Sequence, residues 1–238
     1  MSFGTLYLIP ISISEGEVAG IPEQVRTRLK RLDYFLVENA RTARRYISSL
    51  NLGLTIEELD FQELSKKTSN TQVERLMMPV MEGKSVGILS ESGCPGVADP
   101  GARAVEFAHK RGIKVVPLVG PSSILLALMA SGLNGQKFAF HGYLPIKTPE
   151  LQQVIKSLER SSVKEGYAHI FIETPYRNNQ LLENLSKIAH PETMLCVAKD
   201  LTGPAEFIKT LPLKIWKKEE VDLHKIPCIF ILQAALVS

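Results

Sequence analysis

The stretch SESGCPGVADPG, residues Ser90–Gly101, separates two regular elements of the chain. Five of the nine residues from Gly93 to Gly101 are glycine or proline, so this stretch is neither a helix nor a strand. Ser85–Leu89 before it has the pattern of a short buried strand, and the helical pattern after it ends at Gly112. In open α/β sheets, loops that follow the carboxyl ends of parallel strands bind small molecules.

The helix after the loop is expected to span Gly101–Arg111, with Asp99 as its N-cap and Pro100 at its first position. A loop poor in side chains lets its backbone approach a ligand. The same composition also fits an ordinary tight turn between a strand and a helix that binds nothing.

Short apolar runs alternate with amphipathic segments through the first half of the chain. The predicted strands are Thr5–Ile9, Tyr34–Val37, Leu59–Glu63, Ser85–Leu89 and Lys114–Leu118, and the predicted helices include Pro22–Arg31 and Arg41–Leu50. Such alternation predicts an α/β domain whose mainly parallel sheet is covered on both faces. This first domain is expected to occupy residues 1–119.

A second α/β series follows and is expected to form a domain of residues 120–238. Its predicted strands are Phe138–His141, Ala168–Ile172, Met194–Ala198, Glu206–Leu211 and Ile229–Gln233, and its predicted helices are Ser123–Ala130, Pro149–Leu158 and Asn178–Ile188. No helix fits between the strand ending at Ala198 and the next one, so this second sheet is predicted to be mixed.

The composition excludes several classes of protein. The chain has 238 residues, a formal net charge of +3 and 45% hydrophobic residues, which is typical of a globular protein and only weakly basic. The three cysteines form no C-x-x-C pair, and the five histidines lack ligand spacing, so no metal is expected. The longest apolar run, Ile124–Ala130, is too short to span a membrane, and no basic leader precedes the first apolar residues. A cytoplasmic location is therefore expected.

Two further segments indicate a ligand site. Val119-Gly-Pro-Ser-Ser123 follows a predicted strand, and Ser122 can begin a helix whose first amides favour an anion, although it can equally cap only its own helix. Phe140–Pro145 places an aromatic residue and an extended turn after the next strand, where they could cover a ligand. No G-x-G-x-x-G, P-loop or G-x-S-x-G motif is present.

These segments and several others follow one another in an order that is typical of one family. They are Gly4-Thr-Leu-Tyr7, Glu38 with Arg41, Arg44 and Arg45, the Gly93–Gly101 loop, Gly120-Pro-Ser122, Phe140–Pro145 and Glu173-Thr-Pro-Tyr-Arg177. In them the chain resembles the ribosomal RNA small-subunit methyltransferase I family of the tetrapyrrole methylase superfamily, over nearly its whole length. The resemblance implies a homodimeric S-adenosylmethionine-dependent methyltransferase of class III that binds its cofactor in a cleft between the two domains. Its implied product is a 2′-O-methylated ribose of a cytidine in small-subunit ribosomal RNA.

Ten residues are expected to bind S-adenosylmethionine: Pro10, Cys94, Val97, Ser122, Ser123, Tyr143, Leu144, Ile172, Ala198 and Pro227. A hydroxyl acceptor also needs a group that takes its proton. Glu38, Glu173 and Lys199 lie at or just after predicted strand ends and are the candidate catalytic residues, with Glu91 a further carboxylate of this kind. The alternative is that these carboxylates pair with a nearby arginine, such as Arg41 or Arg177.

The chain departs from the family pattern mainly outside the expected cofactor segments. Ile11-Ser-Ile-Ser-Glu15 replaces T-P-I-G-N, Asn39 replaces an acidic residue, Ser65–Asn70 replaces a histidine-bearing segment, and Tyr176 replaces a histidine. The fold and the cofactor are therefore safer expectations than the nucleotide that is modified.

The expected macromolecular partner is ribosomal RNA or the small ribosomal subunit. Basic side chains on two successive predicted helices could form one face for phosphates, namely Arg26, Arg28, Lys30, Arg31, Arg41, Arg44 and Arg45. Two other functions stay open: a methyltransferase of a small molecule such as a tetrapyrrole, and a non-catalytic paralogue that binds cofactor or RNA. Fold alone does not decide between them.

Overall fold

The computed structural model of the protein describes residues 2–234. Contacts within the chain divide it into two compact units, Met1–Ser122 and Ser123–Ser238, called here the first and second unit. The assignment of domains to residues 1–119 and 120–238 stays a prediction.

The first unit is built on a five-stranded parallel sheet. Its strands are β1 (Thr5–Ile9), β2 (Tyr34–Val37), β3 (Asp60–Glu63), β4 (Val86–Leu89) and β5 (Lys114–Pro117), in the order β3-β2-β4-β1-β5. Every residue of β2 and β4 is buried, as expected where helices cover both faces of a parallel sheet. Gly87 in β4 is required by packing, because a Cβ there would lie 2.8 Å from the side chains of Ile9 and Phe35.

Helices cover both faces of this sheet. They are α1 (Glu23–Leu29), α2 (Ala40–Ser49), α3 (Asn70–Leu76), α4 (Met78–Met81) and α5 (Ala102–Arg111). Alternate residues of a strand point to opposite faces, so Phe35 packs in the core beneath α1 and α2, whereas Leu36 packs beneath α3 and α5. α5 ends where Gly112 adopts a left-handed conformation, with φ 69°, as predicted.

The second unit contains a mixed sheet, which confirms the predicted fold class. Its strands are β6 (Phe138–Tyr143), β7 (Ala168–Ile172), β8 (Met194–Lys199), β9 (Phe207–Pro212) and β10 (Cys228–Gln233), in the order β6-β7-β10-β8-β9. β6 and β7 are parallel, whereas β10 runs antiparallel to both β7 and β8. All five strands lie within two residues of their predicted bounds.

The helices of the second unit are α6 (Ser123–Ser131), α7 (Thr148–Glu165), α8 (Asn178–Ile188) and α9 (Leu213–Trp216). α7 is longer than the predicted Pro149–Leu158, because its buried stripe of Leu151, Ile155 and Leu158 continues to Ser162 before the helix stops at Gly166. Among residues 2–234, no helix is both long and apolar enough to span a membrane.

Two local predictions about the first unit need correction. Asp99 is not the N-cap of α5: Gly101 occupies that position with helical backbone angles, and Asp99 bonds within the loop instead. The sequence analysis also missed α3, which begins with a capping box between Ser69 and Gln72. That box is visible in the sequence as S-x-x-Q before an apolar residue.

Candidate active site

The carboxyl ends of three adjacent strands bring together the segments singled out in the first unit. β4, β1 and β5 are neighbours in the sheet and run in the same direction. The loop Ser90–Gly101, the segment that begins at Pro10 and the segment Leu118–Ser122 therefore leave the sheet at one edge. This is the edge at which α/β sheets bind ligands.

Hydrogen bonds fix the loop that follows β4. The buried Ser90 hydroxyl donates to the carbonyl of Gly93 at 3.2 Å, and the amide of Ile11 donates to the same carbonyl at 2.9 Å. Asp99 Oδ1 accepts from the amides of Gly96 and Gly101 at 2.8 and 2.7 Å. A Cβ on Gly101 would lie 2.6 Å from that carboxylate oxygen. Asp99 therefore closes the loop on itself.

The segments that follow β4, β1 and β5 are in direct contact. The Cys94 thiol donates to the carbonyl of Pro121 at 3.3 Å, and burial raises the pKa of this thiol, so it stays neutral at pH 7. Gly120 lies so close to the ring of Pro10 that a Cβ there would be 2.2 Å from the ring Cγ. The structure thus brings Pro10 and Cys94 together beside Ser122, while Val97 stands half exposed on the loop.

Glu38 follows β2 at the same edge and lies near two other carboxylates. Burial raises the pKa of its carboxyl above the ordinary glutamate value, and the carboxylates of Asp99 and Glu91 raise it further, while Lys66 opposes them. No salt bridge to Glu38 occurs within residues 2–234, so the alternative of a pair with Arg41 is not what the structure shows. A carboxylate without a cationic partner and with a raised pKa is suited to accept a proton.

In the second unit, several predicted cofactor residues form one row across the sheet. Tyr143 pairs with Ile172, Ile172 pairs with Ile229, and Ile229 pairs with Ala198. Tyr143 is 55% exposed, whereas Ala198 is fully buried.

The neighbours of this row differ in exposure. Leu144 is 5% exposed and packs in the core of the unit, so its side chain, like that of Ala198, serves the core. Pro227 is exposed at the amino end of β10, where its carbonyl accepts a hydrogen bond from the amide of Asp200 at 3.1 Å. Ser123 is the first residue of α6.

Both catalytic candidates of the second unit are engaged in local contacts. Glu173 is buried, forms an ion pair with Arg177 and accepts from the amide of Thr174 at 2.6 Å, so the arginine-paired alternative is what the structure shows for it. Lys199 donates from Nζ to the carbonyl of Asp222 at 3.1 Å. Each of the two side chains therefore forms a hydrogen bond with a backbone group near it.

A family model described as Tetrapyrrole (Corrin/Porphyrin) Methylases matches residues 6–215. This chain belongs to the tetrapyrrole methylase family. The predicted methyltransferase class is therefore confirmed. The methylase is 28% identical to the ribosomal RNA small subunit methyltransferase I of Escherichia coli O157:H7, over 98% of its own length and 78% of that protein. It is 31% identical to the protein of the same name from Vibrio cholerae, over 87% of its own length and 68% of that protein.

Solved structures of low sequence identity share the fold of this methylase. Diphthine synthase matches 97% of the chain with a TM-score of 0.69 at 16% identity, over 89% of its own length. The methyltransferase CobJ matches 99% of the chain with a TM-score of 0.64 at 18% identity, over 95% of its own length.

The basic residues of the methylase have different environments, so the predicted single basic face needs correction. Arg26 donates to the carbonyls of Val18 and Leu50 at 2.8 and 3.3 Å and so ties α1 to the end of α2. The Arg28 guanidinium lies 4.2 Å from the centre of the Tyr7 ring. These two arginines support the fold of the unit.

The remaining basic residues are more exposed to solvent. Arg44 lies 5.3 Å from the centre of the Phe61 ring, and Arg45 forms an ion pair with Glu15. Lys30, Arg31 and Arg41 are exposed.

A cavity of about 330 Å³ beside the β1 end was not found by sequence reasoning. Its polar and charged lining residues are Ser12, Glu15, Thr42, Arg45, Tyr46, Ser49 and Glu91. The Tyr46 hydroxyl donates to the carbonyl of Pro10 at 3.1 Å, so one wall of the cavity is bonded to the segment on which Gly120 packs. In the sequence, the cavity is indicated by the series of polar residues on α2, but the prediction for this helix considered its charged residues alone.

Proposed function

We propose that this methylase uses S-adenosylmethionine to methylate a ribose 2′-hydroxyl of small-subunit ribosomal RNA. The observation that carries the proposal is the carboxyl edge of the first sheet, where a loop poor in side chains lies next to an unpaired carboxylate of raised pKa. The relatives named ribosomal RNA small subunit methyltransferase I support the choice of RNA.

The residues at this edge fit a small ligand such as S-adenosylmethionine. Around the Cβ position of Gly96 only the amide of Ala102 lies within 4 Å, at 3.9 Å, and the next residue, Val97, is half exposed. The half-buried Ser122 follows the turn at Gly120-Pro121. We propose that backbone groups near Cys94 and Val97, with Ser122 and Ser123, hold the cofactor. In the second unit, the predicted cofactor residues Tyr143, Leu144, Ile172, Ala198 and Pro227 stay predictions.

The chemistry asks little of the protein besides alignment and one proton acceptor. When bound, S-adenosylmethionine supplies an electrophilic methyl carbon, and the electron pair of its C–S bond leaves with sulfur as a neutral thioether. The acceptor hydroxyl forms the new C–O bond and loses its proton. We assign Glu38 as the carboxylate that takes this proton, because Glu173 is already paired with Arg177.

Two measurements test the proposal. Calorimetry with S-adenosylhomocysteine, the demethylated product, should show binding, and absence of binding at millimolar concentration would refute the cofactor assignment. Labelled S-adenosylmethionine should then transfer its methyl group to small ribosomal subunits that lack the modification, and nuclease digestion should locate the label on a 2′-oxygen. Label found only on an added tetrapyrrole would favour the small-molecule function, and cofactor binding without transfer would favour a non-catalytic protein.

A homodimer is part of the proposal. The apolar helix α6 exposes Leu125 and Met129, which lie one turn apart on one face and are 51% and 79% exposed. We propose that a second copy of the chain covers this face. Analytical ultracentrifugation should give twice the mass of the chain, and Met129→Glu should give the monomer. A ribosomal substrate would also place the enzyme in the cytoplasm.

A further inference from the structure

The cavity beside β1 is lined by one polar face of α2. Arg45, Tyr46 and Ser49 lie three, four and seven residues after Thr42 and therefore share a face of this helix with it. The core-facing residues Ala43 and Ile47 lie on the adjoining face. The polar side chains of this face border the cavity, where a ligand can reach them.

The size and lining of the cavity suit a nucleotide. Its volume of about 330 Å³ lies at the lower end of the range of roughly 300–1,000 Å³ for small-molecule sites, which leaves little room for a macrocycle with its acid side chains. The hydroxyls of Ser12 and Thr42 can each donate and accept, as ribose hydroxyls require. The Ser49 hydroxyl donates to the carbonyl of Tyr46 at 2.7 Å and can still accept a hydrogen bond. Arg45 is the cation of the lining and matches a phosphate in charge and geometry.

Arg45 can exchange its carboxylate partner Glu15 for a phosphate. Its ion pair with Glu15 is open to solvent, with side-chain exposures of 63% and 78%. Exposed ion pairs of this kind contribute little to stability, and a phosphate offers more charge and more acceptor oxygens than one carboxylate. Glu15 therefore competes with an incoming phosphate.

Glu91 connects the cavity with the proposed proton acceptor. It lines the cavity, and its charge raises the pKa of Glu38. A ribose held against Ser12 and Glu91 would thus lie at the same sheet edge as Glu38.

We infer that this cavity binds one ribonucleotide of the acceptor RNA, with a phosphate on Arg45 and the ribose on the hydroxyl-lined wall. This inference rests on the function proposed above. It assigns a recognition role to the segment Ile11–Glu15, where the chain departs from its family, and to the polar face of α2.

The test uses the full chain and the four ribonucleoside 5′-monophosphates as probes, with ligand-observed NMR as the readout. The wild type should bind at least one of them at millimolar concentration, and more weakly its 2′-deoxy counterpart. Arg45→Ala should weaken binding about tenfold or more, the loss expected for a hydrogen bond to a charged group. Glu15→Gln should strengthen it, because the competing carboxylate is gone.

Arg111→Ala is the matched control, because Arg111 is also an exposed arginine with a carboxylate partner, Glu74, but does not line the cavity. It should bind the probes like the wild type. No binding by the wild type, or equal binding by the Arg45 variant, would overturn the inference. S-adenosylhomocysteine titrations on the same samples separate the two proposals: normal cofactor binding with no effect of Arg45 refutes only the nucleotide site, whereas no cofactor binding refutes the proposed function.

Discussion

The two sheet edges at which we propose ligand binding differ in the environment of their carboxylates. In the first unit, Glu38 has negative neighbours and no ion-pair partner among residues 2–234, and the loop beside it is held by backbone amides that donate to the Asp99 carboxylate. In the second unit, Glu173 is paired with Arg177, and the predicted residues form a row whose members are partly buried. We infer from this contrast that the first unit carries the reactive chemistry, whereas the second unit contributes shape. The predictions below test this division of roles.

The largest effect is expected from removing the second unit. A fragment of residues 1–122 should show no measurable affinity for S-adenosylhomocysteine by calorimetry, because it lacks the proposed cofactor residues Tyr143, Ile172 and Pro227. Circular dichroism should show whether the fragment is folded. A folded fragment that binds as tightly as the whole chain would show that the second unit is not needed for cofactor binding.

Exchanging the carboxylates of Glu38 and Glu173 for amides compares the units directly. Glu38→Gln should lower kcat about 10²- to 10⁴-fold, the usual contribution of a general base, and leave the melting temperature nearly unchanged. Glu173→Gln should instead lower the free energy of unfolding by about 1–3 kcal/mol, because Arg177 loses its partner. Equal losses of kcat in both variants would contradict the division of roles.

A methyl group on Gly120 should disturb the cofactor edge through packing alone. The Cβ of Gly120→Ala would overlap the ring of Pro10, and overpacking of this kind costs about 1–3 kcal/mol of folding stability. The two segments must move apart to relieve the overlap, so the affinity for the cofactor should fall. Gly20→Ala is the control, since nothing lies within 4 Å of its Cβ position. Isothermal titration with S-adenosylhomocysteine measures both, and unchanged affinity in the Gly120 variant would argue against a cofactor at this edge.

RNA association should depend on the open arginines of α2. Replacing Arg44 and Arg45 together by Ala should weaken RNA binding and reduce the steepness of its salt dependence, by about 0.7 in the logarithmic slope for each single-strand phosphate that the protein no longer neutralises. Cofactor affinity should not change. Fluorescence anisotropy over a range of salt concentrations checks this, and equal slopes for variant and wild type would remove the argument for RNA from these residues.

The smallest effect is expected in the pH profile of kcat. Because the pKa of Glu38 is raised, the reactive carboxylate is lost as pH falls through that pKa, so the acid limb of the profile should lie above the ordinary glutamate value of about 4.3. Glu91→Gln removes a negative neighbour, which lowers the pKa of Glu38 and moves this limb to lower pH. A limb that stays in place would mean that another group titrates.

Periodicity predicted the sheets well because buried strands such as Ala168–Ile172 are short apolar runs between clear breaks. The predicted role of Asp99 as N-cap was wrong because two groups of backbone amides compete for its carboxylate. These are the amides of the loop at Gly96 and those at the start of α5, and the carboxylate bonds within the loop. The pairing of Glu173 with Arg177 was one of the alternatives from the sequence, because carboxylates at strand ends commonly pair with a nearby arginine. The raised pKa of Glu38 could not be predicted, since it depends on burial and on Asp99 and Glu91, which are brought near by folding.

We expect Tyr46 to link the two proposed ligands of the first unit thermodynamically. It lines the cavity beside β1, and its hydroxyl donates to the carbonyl of Pro10, whose ring lies against Gly120. A ligand that orders this wall from one side lowers the entropic cost of ordering it from the other. Linkage is reciprocal, so acceptor and cofactor should each raise the affinity of the other by the same factor. Tyr46→Phe would uncouple the two while leaving in place every group that either ligand is proposed to touch.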